Sequence, residues 1–424
     1  MASQCGGGYL GGMLNVQGQD RAIAQLQKSM RAQRLGHTWL FAGPMGVGKF
    51  KLAMELARTV MCDRPVMRAN DGAVSLLPGD FPLRLPCGEC DSCRAIEAGS
   101  HPDLHIITRD LIRYHDKGGK SKGTTLSIDV IRGEITGDPA QNKEAKIAKR
   151  AFRGRGKFFI IDEAELMEPP AQNALLKTLE EPPAESYLIL VTPSPQELLS
   201  TIRSRAQLAS FNVLPDAVVM QELAGRGMSQ EDAALLARLA RGSLGRAVRW
   251  AEDIRTIDDK NAKAAARKAK SGAEADEGEE ADTKFTPGGI LSWTRELCLQ
   301  LDQLVAGRSA ASDVAGAIAK FAGEYAGLQL IRDRLTSADQ AKRDGIAWMM
   351  TIAAEWFADR LRHGLGTPHA TVLPGITGAL DYGLVPQLIA SARSAEAQID
   401  MNANDKILLA ATTAKWEELL RVPS

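Results

Sequence analysis

An α/β domain built on a parallel sheet, followed by all-helical regions, is the fold class this sequence predicts. Three observations predict it. Strand-sized apolar runs alternate with helical periodicity over residues 13–212; a glycine-rich loop joins one such run to a helix; and beyond residue 213, on either side of a charged stretch, the periodicity is helical. At 424 residues the chain has room for two or three domains, each with its own core.

The elements follow in order. Gln19–Ala32 carries Ile23, Leu26 and Met30 at helical spacing. Thr38–Ala42 is a short apolar strand that runs into the glycine loop, and Lys49–Met61 then puts Leu52, Leu56 and Val60 on one helical face. Lys157–Ile161 and Tyr187–Val191 read as two further buried strands. Between them Ala171–Leu179 reads as a helix stopped at Glu180-Glu-Pro-Pro183, because proline cannot continue it. Residues 213–255 form a small helical domain with patterns at Val218–Ala224, Ser229–Leu239 and Leu244–Trp250. Residues 256–288 are dense in Ala, Lys, Glu, Asp and Gly and predict a disordered charged linker. Residues 289–424 return to long helical stretches and predict an all-α bundle. Two segments of the first domain look inserted: the Pro/Arg/Gly-rich Asp63–Pro86, and the basic Asp138–Gly156 with Lys143, Lys146, Lys149, Arg150, Arg153 and Arg155. A solvated lysine-rich loop is the expectation for the second, with contact to DNA phosphates as its alternative.

Lys+Arg and Asp+Glu both total 52, so no net field draws the molecule to nucleic acid or membrane. The longest apolar runs, Phe158–Ile161 and Leu188–Val191, fall far short of the roughly 20 residues that span a bilayer. The first residues, MASQCGGGYLGGM, lack a basic start followed by an apolar stretch, and a cytoplasmic location is the expectation.

The chemistry lies in four constellations. Gly43-Pro-Met-Gly46-Val-Gly48-Lys49 has the pattern of a phosphate-binding loop, in which backbone N–H groups and the helix dipole meet a phosphate and Lys49 meets the outer phosphates. The pattern should end in Ser or Thr, whose hydroxyl holds Mg²⁺; here the residue is Phe50, which offers no oxygen. The loop therefore reads either as a degenerate ATP/Mg²⁺ site or as one kept for packing. Phe158-Phe-Ile-Ile-Asp162-Glu163 places a carboxylate at a strand end, where the metal-side acid of such enzymes sits, with Glu163 at the water-activating position. Cys62, Cys87, Cys90 and Cys93 offer four thiolates, the last three spaced C-x₂-C-x₂-C, which favours Zn²⁺ in a closed structural site. An iron–sulfur cluster, or no metal, are the alternatives, and His101 or His105 are substitutes for one sulfur. Finally, Thr201-Ile-Arg203-Ser-Arg205 puts two arginines on an exposed turn, either as a solvated surface or as an arginine finger that reaches the γ-phosphate of a nucleotide in a neighbouring subunit. Gly242-Ser-Leu-Gly-Arg246 opens a helix from which an arginine can face a nucleotide cleft.

Together these pieces resemble the bacterial DNA polymerase III clamp-loader proteins of the AAA+ class, and within them the delta-prime branch. The residues that carry the resemblance are Arg34-Leu-Gly-His37, the glycine loop, the cysteine quartet with His101-Pro-Asp103, Asp162-Glu-Ala-Glu165, Asn173-Ala-Leu-Leu-Lys-Thr-Leu-Glu-Glu-Pro-Pro183 and Thr201-Ile-Arg-Ser-Arg205. Asn402-Ala-Asn404 with Leu408-Leu409 looks like the collar helix of these subunits. The resemblance implies an AAA+ core over 13–212 with a zinc module at 62–93, a helical lid over 213–255 and a collar over 289–424. It also implies a place in a hetero-pentameric ring with tau/gamma and delta subunits that loads the sliding clamp onto primed DNA. The member it resembles does not hydrolyse ATP itself but lends an arginine, here Arg205, to a neighbouring ATPase. It puts Thr192 near the sensor-1 position and Arg246 in the sensor-2 segment. An active tau/gamma-like motor subunit is the alternative. Two features depart from the family: Ala206 stands where its Ser-Arg-Cys has cysteine, and the Cys62–Cys87 spacing is long.

Overall fold

Five parallel strands in the order β4-β5-β6-β1-β7 make the central sheet of a computed structural model of the protein. The structure describes residues 16–32, 35–68, 83–115, 125–138, 144–255, 289–332, 336–365, 373, 380–400 and 404–421. Arg34, Lys143, Asn402 and the charged stretch 256–288, all singled out above, lie outside the described residues.

The described residues fall into two units, one reaching Val218 and including Ser243–Gly245, the other holding Val219–Gly242 and the chain from Arg246 onward. In the first, α1 (Asp20–Arg31) leads to β1 (Thr38–Ala42), the glycine loop and α2 (Lys49–Met61). A small hairpin, β2 (Val66–Arg68) with β3 (Leu83–Leu85), precedes α3 (Asp91–Glu97) and β4 (Leu104–Ile107). After α4 (Ile112–His115) and α5 (Ile128–Ile131) come β5 (Lys157–Ile161), α6 (Pro169–Glu180), β6 (Ser186–Thr192), α7 (Ser200–Arg203) and β7 (Gln207–Ser210).

β1 and β5 are buried at every position, including Thr38 and Lys157 that open them, as strands covered on both faces should be. Successive side chains alternate between two cores. Trp39, Phe41 and Phe158 join Leu26 of α1 and Leu52 and Leu56 of α2 on one side. Leu40, Phe159 and Ile161 join Val130 and Ile131 of α5, Leu175 of α6 and Ile202 of α7 on the other. Strands β4 and β7 are not anticipated from the sequence, because Leu104-His-Ile-Ile107 and Gln207-Leu-Ala-Ser210 are short and partly polar. Pairing with β5 and β1 decides them. Helix α6 ends where its prolines require, at Glu180.

In the second unit, α8 (Asp216–Gly225), which begins in the first, is followed by α9 (Gln230–Ala240) and a helix α10 over residues 244–255. The bundle then comprises α11 (Gly289–Val305), α12 (Ala311–Arg332), α13 (Ala338–Gly364), α14 (Val385–Asp400) and α15 (Asp405–Arg421). Its core is aromatic, with Trp293, Phe321, Trp356, Phe357 and Trp416 buried. Helix α9 is held to the bundle by ion pairs from Arg238 to Asp359 (3.6 Å) and from Arg241 to Glu396 (3.4 Å).

The basic segment before β5 is exposed at residues 148–150 and 152–155, as a solvated loop should be, but it is also anchored. Both carboxylate oxygens of Asp103, a residue 1 % exposed, accept backbone N–H groups from Phe152 (2.7 Å) and Arg153 (2.9 Å). Lys146 pairs with Glu134 at 2.7 Å, and Lys157 donates to the Lys146 carbonyl at 3.0 Å. The segment is thus pinned at both ends. Asp103→Ala would strand two backbone donors that answer to a buried carboxylate, so a loss of roughly 2–4 kcal/mol is expected in urea unfolding followed by tryptophan fluorescence. A loss below about 1 kcal/mol would show that this anchor is dispensable.

Candidate functional site

The parallel register brings the ends of three strands to one edge. Ala42 of β1 stands opposite Thr192 of β6, and Ile161 of β5 opposite Leu190. Gly43, Asp162 and Thr192 are therefore neighbours by backbone construction, and Gly43 N–H donates to the Thr192 carbonyl at 3.3 Å. This edge, at the carboxyl ends of the strands, is where open α/β sheets bind their ligands.

The loop needs its first glycine for space. Gly43 has φ 150°, and a Cβ there would stand 2.3 Å from the Phe211 carbonyl oxygen. Gly46 and Gly48 also take positive φ, 73° and 102°, so the chain turns tightly into α2. Lys49 is buried, and its ammonium donates to the carbonyls of Gly43 (2.5 Å) and Pro44 (2.6 Å). Burial lowers its pKa to about 8 against the opposing pull of Glu165 and Asp162. Both carboxyls in turn are raised above their ordinary values, chiefly by their partial burial. Thr192 is wholly buried; its hydroxyl oxygen accepts the Ser194 N–H at 3.0 Å and its side chain bonds Glu165. One buried cation thus faces two partly buried acids.

Phe50 points elsewhere. It is partly buried and packs against the core of Trp39, Phe41 and Leu52. Glu163 adopts the left-handed backbone (φ 54°), and its carboxylate pairs with Arg109 Nε at 3.2 Å. Arg205 lies beyond α7, its Nη2 on Glu180 Oε1 at 2.7 Å. Arg246 belongs to the second unit, where its guanidinium sits 4.0 Å from the Trp348 ring centroid and burial lowers its pKa to about 10. The first unit therefore gathers Gly43, Gly46, Gly48, Lys49, Asp162 and Thr192 around one edge. Glu165 and Arg109 complete the charge pattern. Glu165 stands three positions after the strand-end acid, a spacing that could have signalled it; Arg109 has no such signal.

The cysteines converge. The sulfurs of Cys62, Cys87, Cys90 and Cys93 all lie within 4.8 Å of one another, with Cys62 to Cys87 at 3.5 Å and Cys62 to Cys90 at 3.8 Å. Thiolates on a tetrahedral zinc at about 2.3 Å would be about 3.8 Å apart, so the donor set fits that geometry. Cys62 takes its place despite the long spacing, because the β2–β3 hairpin closes the intervening loop. Backbone N–H groups point at the sulfurs: Cys87 to Cys62 (3.3 Å), Cys90 to Cys87 (3.3 Å) and Cys93 to Cys90 (3.4 Å). Burial raises the Cys87 thiol, but the N–H groups of Glu89 and Cys90 outweigh it and bring its pKa down to about 7. The histidines are committed elsewhere. His101 Nδ1 accepts the Asp103 N–H at 3.1 Å, and His105 stacks on Phe159 at 4.6 Å. Neither replaces a sulfur. Asp63, next to Cys62, accepts Ser92 N–H at 3.3 Å and pairs with Arg153 at 3.3 Å. Two arginines of the basic segment, Arg153 and Arg155, thus secure the cysteine module to the body of the domain.

No helix among the described residues is long and apolar enough to cross a membrane. Residues 18–215 match a family model described as DNA polymerase III, delta subunit. Over 221 residues the chain is 31 % identical to DNA polymerase III subunit delta' of Bacillus subtilis, covering 52 % of this chain and 56 % of that one. Over 225 residues it is 33 % identical to the Escherichia coli subunit delta', covering 53 % and 57 %. The tau/gamma subunit of Haemophilus influenzae is 33 % identical over 236 residues, covering 54 % of this chain and 29 % of its own length. The chain thus spans little more than half the length of the delta' relatives it matches. A solved structure of a gamma subunit-related protein from Thermotoga maritima aligns over 94 % of this chain and all of its own at 17 % identity, with a TM-score of 0.41. Over residues 18–215, which hold the parallel sheet and the glycine loop, the chain is similar to DNA polymerase III delta' subunits and, over a comparable stretch, to a tau/gamma subunit.

Proposed function

We propose that the chain is a delta-prime-like subunit of the DNA polymerase III clamp loader. In this reading it works beside tau/gamma and delta subunits in a hetero-pentameric ring that loads the sliding clamp onto primed DNA. It does not turn over ATP itself; it supplies Arg205 to the active site of a neighbouring ATPase, and it carries a structural zinc on its four cysteines. The observation that carries this reading is the position after Lys49. A hydroxyl there would hold Mg²⁺ between the β- and γ-phosphates, whereas the Phe50 ring packs into the core. The contacts of Lys49 and Glu163 support it: both are engaged by the protein's own groups, the loop carbonyls and Arg109. Bound zinc would orient the turn from Cys87 to Cys93, while Asp63 and Ser92 hold that turn to Arg153.

A second reading, an ATP-hydrolysing tau/gamma-like motor, draws on the tau/gamma relatives and on the retained Lys49, Asp162 and Glu163. The two readings differ at the bench. The purified chain with Mg²⁺ and ATP is expected to show no turnover above background by phosphate release. Steady hydrolysis that disappears in Glu163→Gln would establish the motor instead. In a ring reconstituted with motor subunits, Arg205→Ala is expected to lower kcat at least tenfold, arginine fingers being worth on the order of 10³–10⁵. Wild-type turnover from an intact ring carrying that substitution would remove the finger role. For the metal, one equivalent of zinc is expected by mass spectrometry of the purified chain, with no visible absorbance of an iron–sulfur cluster. Chelation under denaturing conditions should slow refolding of the first unit, and metal-free protein of unchanged stability would refute the structural role.

A further inference from the structure

We propose that Glu180 is a positioning residue for Arg205: it fixes the direction in which the guanidinium is presented to the neighbouring subunit. This rests on the arginine-finger reading above and adds a second residue to it.

An arginine just beyond a four-residue helix has little to hold it. Arg205 follows α7, and its side chain is 36 % exposed. Left to itself such a side chain samples many rotamers, and a finger that wanders costs its partner orientation. Here both terminal nitrogens are held. Nη2 donates to Glu180 Oε1 at 2.7 Å, while Nη1 donates to the Thr201 carbonyl at 3.1 Å and to Ser204 Oγ at 3.4 Å. A guanidinium has five N–H groups in a fixed plane. These three bonds leave Nε–H and one Nη2–H for an incoming phosphate oxygen, so the side chain is oriented without being used up.

Glu180 is itself placed by its neighbours. It is the last residue of α6, where Glu181 still donates to the Lys177 carbonyl and Pro182-Pro183 end the helix. The two short elements are clamped by Gln172, a residue of α6 that is 3 % exposed. Its Oε1 accepts the Leu199 N–H at 2.8 Å, and its Nε2 donates to the carbonyls of Met167 (2.9 Å) and Glu197 (3.3 Å). The acid and the arginine therefore stand on one rigid bracket. Because the pair is exposed, it adds little to folding. Its consequence is direction, which a substitution should reveal in kinetics and not in stability.

The test is a double-mutant cycle on the reconstituted ring. ATP saturation curves are recorded with wild-type chain, Glu180→Gln, Arg205→Ala and the double variant, with Glu180→Asp as the conservative control. Glu180→Gln is expected to lower kcat by roughly three- to fivefold, the scale of an exposed ion pair, with KM little changed. Glu180→Asp should recover part of the loss. The double variant should equal Arg205→Ala, because Glu180 acts through that arginine alone. Unfolding of the isolated Glu180→Gln chain should match wild type. Wild-type kcat in Glu180→Gln, or a further loss added to Arg205→Ala, overturns the positioning role while the finger reading stands. A ring indifferent to Arg205→Ala overturns both.

Discussion

The register of the parallel sheet is the constraint from which the rest of the first unit follows. Ala42 lies opposite Thr192 and Ile161 opposite Leu190, so the loops after β1, β5 and β6 leave the sheet at one edge. Slipping any strand by one residue would turn its side chains to the other face. The two cores, one around Trp39 and Phe41, the other around Leu40 and Phe159, oppose such a slip. Hydrophobic burial in the sheet therefore fixes polar geometry at its edge, although no apolar residue there does any chemistry.

That edge crowds opposing charges together. Lys49 meets Asp162 and Glu165 where the lysine is buried and both acids are partly so, and each is pushed toward its neutral form by desolvation. The ammonium bonds the loop's own carbonyls, and Glu163 bonds Arg109. The glycine loop and the strand-end acids stand together while the protein's own groups answer one another there. The proposal that this chain assists hydrolysis elsewhere grows from that arrangement together with Phe50, whose ring is a core contact.

The cysteine module is joined to the domain through charge and not through apolar packing alone. Arg58 of α2 pairs with Glu97 of α3 at 3.2 Å and reaches the Cys93 carbonyl at 3.4 Å. Asp63 draws in Arg153 and Arg155, and Asp103 holds the backbone of Phe152 and Arg153. The His101-Pro-Asp103 motif thus acts as a hinge-pin between the cysteine turn, β4 and the segment that enters β5. Its aspartate serves structure, with backbone N–H groups as its partners.

Much of this was legible beforehand because it rests on local pattern. Short apolar runs give β1, β5 and β6, since a strand buried on both faces carries polar residues only at its ends. Paired prolines end α6, since they lack the N–H a helix requires. The glycine loop, the strand-end Asp162 and the clustered cysteines are short motifs whose chemistry is written in residue type. What the sequence could not determine depends on partners distant along the chain. Strands β4 and β7 exist through their pairing with β5 and β1. Arg109 finds Glu163, Arg153 finds Asp63, and Arg246 lies on Trp348. Likewise Glu180 meets Arg205 across 25 positions. An ion pair leaves no periodicity behind, because a charged side chain is compatible with many partners until folding selects one.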